Sequence, residues 1–427
     1  MTSKRIAVIG SGISGLVAAH YLSRKHEVYV YEAGAEIGGH TATKKIQHQG
    51  QDYAIDTGFI VFNDRTYPNF IKLLNALQVD YQKTNMGFSV SCQKTGVEYS
   101  GTSLKGLFAQ VKNIMNWQYW TMLRDILRFN RSCIRLYETG QIPIELTLGE
   151  YLEQQVYGDY FKNLYILPMV SAIWSSGNNN AAAMPLEFFV RFFYNHGLLT
   201  IFNQPQWYSI KGGSHSYLEP LTLAFKNNIF CDTKVVSVRR CDKQVLITTE
   251  SRGEEIYDQV IFSCHSDQAL SLLNDPTDDE QRILSAITYR ENDVCLHHDI
   301  QSLPKSKVAW ASWNYLNLAD QDKTVLTYNM NILQNISSST TFCVTIYPSG
   351  SNNPNANSLV AQNKIFGRYR YSHPVFTKEA VAAQQDWSMI SGVNNSHYCG
   401  AYWRNGFHED GVVSALRVVD YFERYYS

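Results

Sequence analysis

Charge is scarce in this 427-residue sequence. Asp, Glu, Lys and Arg make up only 18% of it, and 37 basic residues stand against 38 acidic ones for a formal net charge of -1. That balance leaves no positive field to meet a phosphate backbone and excludes nucleic acid as an expected partner. The eight cysteines include no CxxC pair, so neither a zinc knuckle nor a disulfide framework is indicated. Reduced, mostly buried thiols in a cytoplasmic protein are the expectation. The histidines have no metal-ligand spacing either, and no metal is expected. No stretch supplies 18 or more uninterrupted apolar residues, so no membrane-spanning helix is expected; peripheral contact with the inner face of a membrane stays open.

Apolar material is plentiful. Hydrophobic residues reach 44% and aromatic residues 13%, enough for a substantial core and too much for a disordered chain. The length exceeds one ordinary domain of about 100 to 150 residues and predicts two. Lys4 and Arg5 before an apolar run resemble the start of a signal peptide, but the glycines inside that run indicate a strand, a turn and a helix instead.

Those glycines carry the first functional reading. A short β-branched run, Arg5 to Ile9, leads into Gly10-Ser11-Gly12-Ile13-Ser14-Gly15 and a helical stretch to Arg24; a second strand-like run, Val28 to Tyr31, ends at Glu32. This is a complete βαβ dinucleotide context. Gly10 permits the tight turn, Gly12 leaves room for pyrophosphate, and Gly15 lets helix approach sheet, while Glu32 can accept from an adenosine ribose. Gly38-Gly39-His40-Thr41 offers a second backbone platform, and Asp56-Thr57-Gly58 ends a strand-like run. Near the C-terminus, Gly406 to Gly411 precedes an apolar run through Val413 that reads as a helix starting near Gly411, with backbone donors for the electron-rich edge of a flavin. These additions favour FAD over a nicotinamide cofactor.

Between the ends, Leu104 to Tyr137 reads as one or two long helices, and Leu167 to Leu199 as an aromatic helical block broken by a polar loop, Ser175 to Asn180. They form a core, line a greasy substrate cavity with a membrane-facing mouth, or do both. Lys211-Gly212-Gly213-Ser214 introduces a helix at Tyr217 to Phe225. Runs near 234–239, 244–249 and 256–263 predict strands, with Val235 a backbone contact for adenine. Further strands are expected at Asp293 to His298, Lys307 to Trp313, Thr324 to Met330, Thr341 to Ile346 and Tyr398 to Tyr402, and a hydrophilic loop at Pro348 to Ser358.

The segments AVIGSGISGL, EAGAEIGGHT, YAIDTGFIVFNDRTYPNF, QWYSIKGGSHSYLEPL and CGAYWRNGFHEDGVVSALR resemble the flavin-containing amine oxidase and phytoene desaturase superfamily. Within it, the chain is most similar to bacterial NAD/FAD-binding proteins encoded beside cyclopropane fatty acid synthases. The resemblance implies an α/β Rossmann-type, MAO/PHBH-like FAD-binding domain with a discontinuous α+β substrate domain. The FAD-binding domain would comprise 1–85, 205–275 and 391–427, and the substrate domain 86–204 and 276–390. It further implies FAD contacts at Gly10, Gly12, Gly15, Glu32, Gly38, Gly39, Thr41, Gly58, Val235, Gly411 and Val413. His40 departs from the Gly-Gly-Arg pattern common in the superfamily, so an arginine–pyrophosphate contact does not transfer.

The family context points to an acyl-chain substrate, unsaturated, methylated or cyclopropane-containing, dehydrogenated by hydride transfer to flavin N5. Dioxygen or a redox carrier would then reoxidise the flavin. Tyr402, Trp403 and His408 are the candidates for pocket wall or acid–base roles; His196, His215, His265 and His373 are weaker ones. Amine oxidation and flavin-assisted double-bond isomerisation are the alternatives.

Overall fold

Residues 3–174, 178–200, 204–318, 324–348 and 359–426 are described by a computed structural model. The apolar run Arg5–Ile9 is the central strand of a five-stranded, all-parallel sheet. It is flanked by Glu27–Tyr31 and Gln259–Phe262, with Ile229–Phe230 and Ser396–Tyr398 at the edges. Strands buried on both faces need continuous apolar sequence, and Ile6, Ala7, Val8, Val260, Ile261 and Phe262 are all inaccessible. The Ile13–Leu22 helix and the terminal His408–Tyr425 helix pack together on one face. On the other face lies an antiparallel meander, Val235–Cys241, Gln244–Thr249 and Gly253–Tyr257.

A second sheet of seven strands has the order Ile365–Pro374, Tyr289–His297, Cys343–Pro348, Thr324–Asn329, Trp313–Asn317, Phe88–Cys92, Glu98–Ser100. Its pairings are antiparallel except that between Trp313–Asn317 and Phe88–Cys92. A helical body completes the molecule, built on Trp117–Thr139 and Leu186–Asn195 around Tyr119, Phe129, Phe189 and Phe193.

Several expectations need correction. Lys307 to Trp313 is not a strand: Lys307–Ala309 is a single 3-10 turn and the strand begins at Trp313. The cause is local, because the Glu98 carboxylate accepts from the N–H groups of Lys305 and Ser306 and holds this stretch as a loop. The 256–263 run is divided at Asp258, whose carboxylate accepts from Arg5 N. The strand expected at Tyr398 to Tyr402 is Ser396–Tyr398, and Ala401–Trp403 is a 3-10 turn. The terminal helix begins at His408, three residues before Gly411. Leu104 to Tyr137 splits into Leu104–Leu107, Val111–Met115 and Trp117–Thr139, the last capped by Asn116. The ten-residue Ile365–Pro374 strand was not anticipated, although Arg368-Tyr369-Arg370-Tyr371 alternates with period two. Of the expected polar loop at Ser175 to Asn180, 175–177 lies outside the described residues and Asn178–Ala183 is helical. Most of the expected loop at Pro348 to Ser358, 349–358, also lies outside them.

Candidate functional site

The glycine turn sits at the carboxyl end of the central parallel strand, where such sheets open a crevice. Gly10 has φ +102°, a conformation that side chains disfavour, and its N–H donates to Tyr31 O. Gly15 is required for packing: a Cβ there would lie 2.3 Å from Gly10 O and 2.4 Å from Ser263 Oγ. Gly12 differs from both. It caps the Ile13–Leu22 helix in ordinary extended geometry, and nothing lies within 4 Å of where its Cβ would be. Gly38 bridges to Gly12, and Gly39 is exposed beside it, its would-be Cβ 3.3 Å from Gly12 Cα. The helix N-terminus therefore opens onto a floor of backbone, which suits pyrophosphate.

Glu32 accepts from Ser11 N at 3.0 Å and Gly34 N at 2.8 Å, so it ties the glycine turn to the second strand. A carboxylate has lone pairs beyond these for a ribose. Thr233 N donates to Glu32 O, which brings the segment entering Val235 alongside; the Val235 side chain itself is buried.

Other anticipated residues lie deeper. The Thr41 hydroxyl is enclosed in a network with Tyr217 and His408, whose Nε2 is 2.7 Å from Tyr217 Oη. The His408 ring stacks on Phe59 at 3.7 Å, and burial lowers its pKa to about 3. These contacts fix the His408 ring between Phe59 and Tyr217. Gly58 lies against His40: a Cβ would be 2.2 Å from His40 O. Gly411 donates its N–H to Phe407 O within the helix, and its Cα faces the first helix, where a Cβ would meet Ile13 Cγ2 at 2.7 Å. This close approach of the two helices requires a residue without a side chain at 411, and Val413 is half-buried on the same helix. Tyr402 and Trp403 are buried in the core beneath the parallel sheet, and neither Tyr402 Oη nor Trp403 Nε1 has a hydrogen-bond partner.

The sequence reading named His265 and His373 only as weaker candidates and missed the polar group in which they are gathered between the two sheets. His40 lies 5.2 Å from His373 and 5.4 Å from Tyr371, ring to ring. The Asn292 amide donates to His373 Nδ1 at 2.9 Å, which leaves the His373 proton on Nε2. His265 stacks on Tyr289 at 4.2 Å, and Tyr289 is 6.2 Å from Tyr402. Burial lowers His40 to about 3 and His373 to about 4, with His265 opposing charge on both. All of these rings are neutral at pH 7. His40, His265, Tyr289 and His373 are deep in the protein yet each retains accessible surface, as residues lining a cavity do. Two more polar atoms here lack partners, His40 Nε2 and Asn292 Oδ1. The available signal was register: Asn292 pairs with Tyr371 and Arg290 with His373 at the ends of two neighbouring strands.

An open helix N-terminus, a glycine floor and an acidic residue closing the second strand define a dinucleotide-binding α/β protein. The chain belongs to the flavin containing amine oxidoreductase family, whose model matches residues 13–296. It is an FAD-dependent oxidoreductase, and the open space beyond Gly12 fits the FAD pyrophosphate. Cyclohexylamine oxidase from Brevibacterium oxydans has a similar structure, with a TM-score of 0.72 and 12% identity over 99% of this chain and 100% of that one. A CLA-producing fatty acid isomerase from P. acnes gives a TM-score of 0.70 and 14% identity over 99% of each chain. Both likenesses establish the fold. An Arabidopsis thaliana protein assigned as flavin-containing monooxygenase 2 is 34% identical over 92 residues, which span 20% of this chain and 20% of that relative.

Among the described residues no three His, Cys, Asp or Glu side chains gather into a metal site. None of their helices is long and apolar enough to cross a membrane. All eight cysteines are free, five of them buried and Cys241 exposed.

Proposed function

We propose that this oxidoreductase dehydrogenates an apolar chain of acyl type, with His40 Nε2 as the proton acceptor. The acyl class includes the unsaturated, methylated and cyclopropane-bearing chains that the sequence resemblance suggested. One observation carries the reading: a buried, unpartnered imidazole nitrogen on a wall of neutral groups, joined to a continuous aromatic block. Phe188 stacks on Phe376 at 4.9 Å, three residues beyond His373, and Phe192 stacks on Phe407 at 4.9 Å, next to His408. Trp174 closes the gap, 4.6 Å from Phe192 and bonded through Nε1 to Asn405 O. Imidazole, phenol and amide groups receive a hydrocarbon next to a few polar atoms better than they hold a charged head.

Bound FAD supplies a two-electron acceptor. Turning a CH–CH unit into C=C also releases a proton, and this proton needs a destination. His40 offers Nε2, because the backbone of Ser372 favours a proton on the other ring nitrogen. The aromatic block aligns the chain and excludes water. Dioxygen or a redox carrier takes the electrons onward.

Anaerobic addition of an unsaturated or cyclopropane fatty acyl substrate tests the reading by bleaching the flavin and yielding a lipid with one more double bond. Bleaching by amines with carbonyl release, or an isomerised lipid without net oxidation, would replace it. With a verified substrate, His40→Ala slows flavin reduction about 100-fold and leaves FAD content intact. The low basicity of the ring places it at the lower end of the ~10²–10⁴ range of proton-transfer residues. Because the His40 pKa lies near 3, its base form persists from about pH 5 to 8 and its contribution to the rate is flat there. An unchanged reduction rate in the alanine variant, measured by anaerobic stopped flow, removes His40 from the mechanism.

A further inference from the structure

We propose that the outward face of residues 104–135 docks the protein on the surface of an anionic lipid bilayer. Large apolar side chains are concentrated there in solvent: Met115 is 91% exposed, Val111 78%, Leu104 77% and Trp117 73%. Trp120 and Leu127 continue the patch. Two short helical turns, Leu104–Leu107 and Val111–Met115, present the tip of this surface, and the Trp117–Thr139 helix carries it on. Along that helix Trp117, Trp120, Arg124, Leu127 and Arg131 recur every three or four residues on the exposed side. A lone exposed hydrophobe needs no explanation, but a contiguous patch marks an interaction surface.

Charge selects the occupant. The 104–139 stretch holds six cations, Lys105, Lys112, Arg124, Arg128, Arg131 and Arg135, in a chain whose formal net charge is -1. All six are exposed. Its two acids offset only part of this field and leave a net charge of +4 over the stretch. Asp125 is buried within ion-pair distance of Arg124 and Arg128, and Glu138 lies at the far end of the helix, so Lys105, Lys112, Arg131 and Arg135 keep their charge unpaired by either acid. Tryptophan and methionine at the tip with arginines behind them match the layering of an interface, where rings enter the headgroup boundary and long cations reach phosphate. A second copy of the chain would bring two cationic faces together. The surface also connects to the interior: on the buried side of the same helix Phe129 packs 5.7 Å from Phe189, which lies 4.1 Å from Phe193 in the aromatic block. A protein docked here would rest that block on a lipid source.

Flotation of the holoenzyme with vesicles gives the test. Vesicles of phosphatidylcholine with about one-quarter phosphatidylglycerol should carry the protein, pure phosphatidylcholine should not, and added salt should release it. Met115→Glu with Trp117→Glu is expected to weaken binding at least about tenfold. Arg131→Gln with Arg135→Gln should weaken it about 25-fold, about fivefold for each cation removed. FAD content and the thermal transition, unchanged in both variants, show that the fold is retained. Failure of the wild type to float with anionic vesicles overturns the proposal. So do binding indifferent to both double variants, and a vesicle-free dimer that these variants dissociate. Because the readout requires no substrate, its outcome is separate from that of the dehydrogenation reading.

Discussion

Gly12→Glu yields a folded protein that no longer retains FAD. The two halves of this result have separate causes. Gly12 has φ -67° and ψ 174°, which any residue adopts, and open space where a side chain would go, so the substitution strains neither backbone nor core. That same space is the one proposed for the pyrophosphate, against the first turn of the Ile13–Leu22 helix. A carboxylate placed there removes the room and opposes the phosphates. At roughly 5 Å and an effective dielectric of about 20, each pair of like unit charges costs about 3 kcal/mol, a loss of about 100-fold in affinity before any steric effect. Gly15→Glu is the instructive contrast: with a Cβ 2.3 Å from Gly10 O, it disrupts the junction of strand and helix and reduces the yield of folded protein. The checks are flavin absorbance per protein and far-UV circular dichroism. Normal FAD content in the Gly12 variant would show that the dinucleotide does not cross this helix end.

The contrast also shows what a linear sequence can reveal. The roles of Gly10, Gly12 and Gly15 follow from local geometry, because each is set within one strand–turn–helix unit of adjacent residues. Glu32 was legible for the same reason, as the residue closing the next strand. Gly411 was not. Its glycine answers a packing demand from Ile13 and Ser14, nearly 400 positions away in the chain, and the helix start moved to His408 because the Asp410 carboxylate accepts from Phe407 N. The His40, Asn292, Tyr289 and His373 group was hidden by distance in sequence. Its members come from the loop after Gly39 and from two neighbouring antiparallel strands, one of them unanticipated because Gly367 interrupts its pattern. His408, foremost among the acid–base candidates, turned out to be held by Phe59 and Tyr217. Histidine type and position near the flavin-binding end did not distinguish a ring with a bare nitrogen from one already engaged.

The protein loses stability steeply as pH falls below about 6.5, through histidines buried as neutral rings. His196 and His297 are held at about 4, and His397 and His408 at about 3, each chiefly by burial. The bonding pattern specifies the neutral form at His297, whose Nδ1 accepts from Asp299 N while Nε2 meets Thr345 Oγ1. Protonating Nδ1 would turn that acceptor into a second donor. The folded pKa lies below the unfolded value of about 6.5, so the stabilisation is fully present above 6.5 and is lost as pH falls toward the folded values. Between pH 7 and pH 5 each of these four rings costs about 2 kcal/mol. Asp56 and Asp410 act in the opposite sense: burial raises both to about 6, so the folded state gains protons before the unfolded one and each returns about 1 kcal/mol over the same interval. For these six groups together the loss is about 6 kcal/mol, a large share of the ~5–15 kcal/mol that holds a typical domain together. Denaturant unfolding of the holoenzyme at closely spaced pH values measures it, and the slope reports the protons taken up. His397→Gln, which keeps a donor for Gln259 Oε1, should reduce that slope by about one proton near pH 5. Stability that stays level from pH 7 to 5 would mean that these rings titrate freely in the folded protein.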